Sequence, residues 1–260
     1  MTALSDRKGD YGFDAPNVLL TLTGIGLVFL AIAVVLAAFH VGFWAPAASI
    51  SLFVLFGAAS FTYTTRRGKF AVWAEILEGL QLRGDERVLD MGSGRGAIQL
   101  MAAQLVPRGQ VVGLDLWRSS DQSGNAAAMA NRNAQSEGVA GNTAFETGDM
   151  SKMPFPDNSF DLVVSSLAIH NIEDAATRQR AIDEAVRVIK PGGRLAIADF
   201  VATSSYAERL RELGMAGVTN PPAARRHRTG PGPTSTGRRS PSCEATVRMR
   251  GVDSNADDRC

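Results

Sequence analysis

Polar and apolar positions divide the chain into three stretches of different rhythm. Residues 18–39 and 43–63 are two long, nearly unbroken apolar runs, and residues 15–65 contain no Asp, Glu, Lys or Arg. A bilayer-spanning helix needs about 20 apolar residues, and each run reaches that length. The three residues between them, His40, Val41 and Gly42, leave room only for a tight hairpin. Pro46 falls near the start of the second run, where a helix tolerates it. Phe39, Phe43, Trp44, Phe61 and Tyr63 lie near the run ends, as interfacial aromatics do. A signal peptide has a shorter apolar core of about 7–15 residues and would not be followed at once by a second run. A buried helix pair is the other alternative; the pattern predicts two transmembrane helices.

The rhythm then shortens. Residues 69–80 place Phe70, Trp73, Ile76, Leu77 and Leu80 on one helical face. Beyond them, strand-like and helix-like segments alternate: strands at 87–91, 110–115, 143–146, 162–165 and 195–200, and helices at 97–105, 125–136, 174–189 and 206–213. Such alternation predicts a parallel α/β sheet with helices on its faces. The third stretch breaks the pattern. Residues 221–260 have no Leu, Ile, Phe, Tyr or Trp, but eight Arg and five Pro. A segment so poor in large apolar side chains cannot offset its ordering entropy. Two readings stand: a basic disordered tail that touches anionic lipid, or an ending replaced by a reading-frame shift near Gly217. The expected organisation is an N-terminal segment at 1–17, a hairpin at 18–65, a domain at 66–216 and a tail at 217–260.

The candidate chemistry sits after the first α/β strand, in Asp90-Met91-Gly92-Ser93-Gly94-Arg95-Gly96. Glycines at a strand-to-helix turn let a ligand approach the main chain, and the helix N-terminus offers free N–H groups. This is a nucleotide-type cofactor turn. Gly92-x-Gly94-x-x-Ala97 also fits the dinucleotide fingerprint, with Asp115 closing the next strand. Asp90 argues against that fit, since an acid at the strand end repels a pyrophosphate and tolerates a cationic amino-acid moiety. Gly148-Asp149-Met150 follows, then 154–161 and the apolar strand at 162–165.

That ordered set resembles the class I S-adenosylmethionine-dependent methyltransferases, and most of all the branch that includes the quinone-biosynthesis methyltransferases. The resemblance covers roughly residues 73–201. It implies a Rossmann-like methyltransferase sheet, preceded here by two transmembrane helices and incomplete at its C-terminal edge if the tail forms no strand. The family's sheet ends in two further strands forming an antiparallel hairpin. The resemblance also implies S-adenosylmethionine as cofactor and assigns roles by position. Gly92, Ser93, Gly94 and Gly96 would wrap the methionine part, and Asp90 would orient its amino group through water. Asp115 would bind the ribose hydroxyls, with Leu116 and Trp117 beside the adenine. Asp149 and the Met150 backbone would meet the adenine ring, and Ser165, Ser166 and Leu167 would floor the methionine. Residues 190–194 resemble the family's turn into the fifth strand. His170 is the candidate general base, and Asn171 a group that positions the acceptor.

Charge completes the picture. Arg7 and Lys8 precede the first span, and Arg66, Arg67 and Lys69 follow the second, while the hairpin loop has none. Both ends are therefore expected in the cytosol, with the catalytic domain. A net charge of +1 and no basic stripe exclude a nucleic-acid field. Cys243 and Cys260, the two cysteines, have no metal-ligand spacing. The expected partners are the lipid bilayer and a small-molecule or lipid acceptor. Two other classes stay open: a nicotinamide-dependent oxidoreductase, and a membrane-anchored protein that binds without catalysing.

Overall fold

A computed structural model describes residues 3–118, 121–199, 201–220 and 244–249, the last as backbone only. Helices α1 (Pro16–Ala38) and α2 (Trp44–Tyr63) form the hairpin. Their contact face is made of small residues: Gly26 and Ala33 on α1, and Ala47, Ser51 and Ala58 on α2, are the buried positions. The Ser51 hydroxyl donates to the Gly26 carbonyl at 2.8 Å. A Cβ on Gly26 would lie 2.6 Å from Leu55 Cδ2, so the two helices approach closely at this position. Large apolar side chains point the other way: Leu20, Leu52, Phe53 and Phe56 are each at least 70% exposed. Small residues thus face the partner helix and large ones face away from it, and both helices are long and apolar enough to cross a membrane.

The link between hairpin and domain is helical throughout. A π-turn at Thr64–Gly68 carries α2 into α3 (Lys69–Gly79), giving one helical path, Trp44–Gly79. The sequence reading placed an amphipathic helix here; its direct fusion to α2 follows from helical backbone dihedrals at Thr64, Gly68 and Lys69. Phe70, Trp73, Ala74 and Leu77 of α3 are buried in the domain core.

The domain follows as β1 (Arg87–Met91), α4 (Ala97–Leu105), β2 (Gln110–Asp115), α5 (Ala127–Glu137), β3 (Thr143–Thr147), β4 (Phe160–Ser166), α6 (Ala175–Val188), β5 (Ile189–Asp199) and α7 (Thr203–Glu212). The first three of these match the expected bounds residue for residue. In β5 the expected turn at 190–194 appears as an irregular stretch inside the strand. Ile189 pairs with Phe160 and Arg194 with Leu162, so the intervening residues bulge out, with Gly192 at φ 81°.

The sheet order is β3-β2-β1-β4-β5-β7-β6, with β6 (Ala216–Thr219) and β7 (Glu244–Met249) beyond β5. Both depart from the sequence reading. A segment expected to give no strand supplies β7 from the tail, and the pairing of β7 with β5 and with β6 is parallel instead of an antiparallel hairpin. β7 lies between β5 and β6, and its Glu244-Ala245-Thr246-Val247 lacks the large side chains that signal a strand in sequence. The rest of the expected disordered tail, 221–243 and 250–260, lies outside the described residues. Two apolar layers sandwich the sheet, one under α6 and α7 and one under α3 and α4.

The N-terminal segment is packed onto the domain. Leu4 and Tyr11 join the α3–α4 layer, and the Tyr11 ring meets Phe70 edge-on at 5.2 Å. Arg7, read from sequence as a flanking charge, forms a 3.1 Å ion pair with Glu137 in which both side chains are at most 4% exposed. Arg66 stacks over Phe13 at 4.7 Å.

Candidate active site

The glycine turn is built by β1, β2 and the N-terminus of α4. The Gly92 and Ser93 amides donate to the Leu114 carbonyl, at 2.8 and 3.2 Å. Gly92, Gly94 and Gly96 all have positive φ. At Gly92 the need for glycine is also steric, because an added Cβ would sit 2.2 Å from the Ala168 Cβ. The turn opens onto a cavity of about 420 Å³ at the C-terminal ends of the strands, where open α/β sheets bind ligands.

Of the residues expected to hold cofactor, Asp90, Gly92, Ser93, Gly94, Asp115, Leu116, Asp149 and Met150 line this cavity. Gly96 and Ser165 do not, nor does Trp117, expected beside the adenine; the Trp117 indole donates to the Thr147 hydroxyl at 2.8 Å. Gly96 caps α4 behind the turn, where an added Cβ would meet Leu100 at 3.2 Å. Ser165 is buried within the sheet and its hydroxyl donates to the Met91 carbonyl at 2.9 Å. Its neighbour Ser166, on the opposite face of β4, lines the cavity instead and accepts from the Trp73 indole at 2.8 Å. His170 is also absent from the wall. Its Nδ1 lies 2.8 Å from the buried carboxylate of Asp199, and its amide donates to the same group, so the imidazole is held at the end of β5. Asn171, the next residue, takes the place on the wall.

Asp90 lies beneath the turn, 1% exposed. Its Oδ2 accepts from the Gln99 amide at 2.9 Å, while Oδ1 has no hydrogen-bond partner among the described residues. Burial, reinforced by the Asp115 charge and opposed by the Gln99 amide, pushes its carboxyl up to about 7. The Ser93 hydroxyl is likewise buried without a partner. Buried polar groups left open in this way are uncommon and point to an outside partner. Asp115 is engaged at both oxygens: Oδ2 accepts from the Gly94 amide at 2.8 Å, and Oδ1 from the Trp117 amide at 2.6 Å and Asn125 at 3.2 Å. A carboxylate that fixes the turn and the following loop still has lone pairs for a diol. The Asp149 Oδ1 accepts from the Ser151 amide and hydroxyl, both at 2.8 Å, which shapes the loop while leaving Oδ2 toward solvent-exposed space.

Six carboxylates line the cavity (Asp14, Asp90, Asp115, Asp121, Asp149 and Glu173) against two cations, Lys69 and Arg118. That balance suits a cationic ligand and opposes a pyrophosphate. The donor set therefore fits S-adenosylmethionine, whose sulfonium and ammonium are both positive, better than a dinucleotide. Sequence reading missed Asp14, Lys69, Gln122 and Asn125 on the wall. Asp14 is the last charged residue before the charge-free stretch, the available signal for it; Gln122 and Asn125 fall in a loop without periodicity.

Comparison with known proteins agrees with this geometry. Residues 89–197 match the family model described as a methyltransferase domain. The 27-O-demethylrifamycin SV methyltransferase of Amycolatopsis mediterranei is 36% identical over 143 residues, 52% of this chain and 48% of that protein. The ubiquinone/menaquinone biosynthesis C-methyltransferase UbiE of Pseudomonas entomophila is 36% identical over 135 residues, 51% of this chain and 49% of that protein. The chain thus spans about half the length of the curated relatives it matches. The solved structure of YcgJ from Bacillus subtilis is 28% identical, covering 54% of this chain and 58% of that one, with a TM-score of 0.42. Motif order, cavity and relatives converge: residues 89–197 form a class I S-adenosylmethionine-dependent methyltransferase domain related to UbiE.

Proposed function

We propose that this chain is a membrane-anchored methyltransferase. It takes a methyl group from S-adenosylmethionine and passes it to a small-molecule or lipid acceptor at the bilayer surface. The observation that carries the cofactor reading is the acid-rich cavity around the glycine turn, with the open oxygen of Asp90 beneath it. The sulfonium supplies an already activated methyl group. The chain's own task is therefore to hold donor and acceptor in line and to keep water out, which is proximity and orientation.

The role proposed for each cofactor residue follows its position. Gly92, Ser93 and Gly94 present the turn to the methionine part, with Asp90 below, and Asp115 faces the ribose. Leu116, Asp149 and Met150 border the adenine. Ser166 and Leu167 replace Ser165 as the floor. Asn171 is better placed than His170 to meet the acceptor. A positioning role for His170, through its bond to Asp199 at the base of the Asn171 loop, has more support than proton abstraction.

Anchoring is supported by the outward-facing large side chains of α1 and α2 and by their small-residue contact face. The continuous path Trp44–Gly79 would hold the domain against the bilayer without slack, raising the effective concentration of interfacial acceptors. Cytosolic termini are supported by the cationic residues Arg66, Arg67 and Lys69 after α2. The two curated relatives are named for 27-O-demethylrifamycin and for a quinone-pathway C-methylation, so the acceptor atom varies among proteins this similar.

Calorimetry on the full chain in detergent, with S-adenosylmethionine and with NAD, tests the cofactor reading. Heat with NAD and none with S-adenosylmethionine would overturn it. An alkaline carbonate wash of membranes tests the anchor: the protein stays with the pellet, and release would mean a peripheral association. Transfer of labelled methyl to a membrane lipid extract then identifies the acceptor.

A further inference from the structure

We infer that the segment ahead of α1 is a clasp that builds one wall of the cofactor cavity, so that cofactor binding and clasp closure are thermodynamically linked. The inference rests on the cofactor reading above and deepens it. One end of the clasp is anchored far from the cavity. Glu137, at the C-terminal end of α5, accepts from the amides of Lys8 and Gly9 at 2.9 Å each and from the Tyr11 hydroxyl at 2.8 Å, and it pairs with Arg7. The other end reaches the cavity, where Asp14 is part of the lining and is held by Lys69 at 3.0 Å.

Between these ends the clasp grips the two elements that a cofactor would touch. The first is the glycine turn. Arg95 is 4% exposed; its guanidinium donates to Asp10 at 3.0 Å and to the Ser123 carbonyl at 3.1 Å. Gly12, at φ +57°, passes directly over that guanidinium, where an added Cβ would lie 2.3 Å from Nη1. The second is the loop after β2. The Ser123 amide donates to the Phe13 carbonyl, and the Ala15 amide to the Asp121 carbonyl, both at 3.1 Å. Asp14 and Gln122 form an antiparallel bridge.

Gln122 joins the two grips. Its Nε2 donates to the Tyr11 carbonyl at 3.1 Å and to Asp14 at 3.0 Å, and its Oε1 accepts from the Arg95 amide at 2.8 Å. Without the clasp, Gln122 keeps only one of these three bonds, Arg95 loses its carboxylate partner, and Asp14 leaves the wall. Gln122, Arg95 and Glu137 are thus positioning residues: they hold the turn amides and the ribose-side loop in place. Because linkage is reciprocal, anything that opens the clasp weakens the cofactor, and the cofactor must tighten the clasp by the same factor.

The test uses the full chain in nanodiscs. In the unmodified protein, saturating S-adenosylmethionine should slow amide exchange at residues 9–15 by about tenfold relative to α7, within the usual range of coupling between sites. Glu137→Ala, which removes the distal anchor without touching the cavity, should weaken S-adenosylmethionine binding by about tenfold. Glu137→Gln keeps the amide acceptors and should restore most of that loss. Deleting residues 3–11 while keeping the hairpin should weaken binding at least as much as Glu137→Ala. Failure of the unmodified protein to bind S-adenosylmethionine would overturn the cofactor reading itself. If it binds, then unchanged exchange at residues 9–15 overturns the clasp. So does wild-type affinity in the deletion variant, whatever Glu137→Ala does to folding.

Discussion

Replacing Asp90 by Asn should make the cofactor-free protein more stable and the cofactor complex weaker. Asp90 is 1% exposed, and burial raises its carboxyl from 3.8 to about 7. The folded state therefore binds its proton more tightly than the unfolded state. Stability falls as pH rises from about 4 to about 7, where the unfolded chain has ionised and the folded one has not, and then levels off. A rise of about three units corresponds to at most roughly 4 kcal/mol of destabilisation above pH 7. Asn removes that cost and keeps the bond from the Gln99 amide. Its new NH₂ meets no acceptor where Oδ1 now sits open, which costs about 1–3 kcal/mol. The net gain at pH 8 is roughly 1–3 kcal/mol, or several degrees in Tm at about 2–4 °C per kcal/mol for a chain of this size. At about pH 4.5 most of the desolvation cost is gone, and the variant should equal the wild type or fall below it. Thermal unfolding followed by near-ultraviolet circular dichroism at the two pH values gives the comparison. Calorimetry gives the other half: S-adenosylmethionine affinity should strengthen as the wild type passes through pH 7, and the variant should bind weakly with no such slope. A variant less stable than the wild type at pH 8 that keeps full affinity would refute both the buried charge and its role.

Three further substitutions probe separate parts of the argument. Gly92→Ala puts a Cβ 2.2 Å from that of Ala168 at φ +75°, so both melting temperature and S-adenosylmethionine binding should drop; calorimetry that finds wild-type affinity would remove the close-approach argument. Asp115→Ala deletes the acceptor for the Gly94 and Trp117 amides and should weaken cofactor binding by on the order of 1–3 kcal/mol, with unchanged affinity excluding the ribose role. Gly26→Val drives a side chain into Leu55 and should destabilise the α1–α2 pair by about 1–3 kcal/mol in a detergent-unfolding titration. Gly24→Val, with nothing within 4 Å, is its control, and equal behaviour of the two would mean that the helices do not pack through Gly26.

What could be read from sequence was whatever local spacing encodes. The charge-free stretch at 15–65 is long enough for two helices of bilayer-crossing length, and that length and polarity are written in local composition. Likewise β1, α4 and β2 follow from short apolar segments and a run of glycines, since backbone freedom at Gly92 and Gly94 is a property of the residue itself. Side-chain direction along a buried strand is different. Ser165 and Ser166 are equivalent in a continuous apolar stretch, and only the pairing of β4 with β1 and β5 turns Ser166 to the cavity and Ser165 into the sheet. His170 and Asn171 were separated by the same kind of fact, the arrival of Asp199 at the end of β5. The clasp was least visible of all. Arg7 with Glu137, Asp10 with Arg95 and Asp14 with Gln122 are each more than eighty residues apart, and single polar residues carry no periodicity that could announce a partner so distant. Their pairing depends on the hairpin turning the chain back on itself, so that the residues before α1 meet the domain after α2. That long-range closure belongs to the tertiary structure alone.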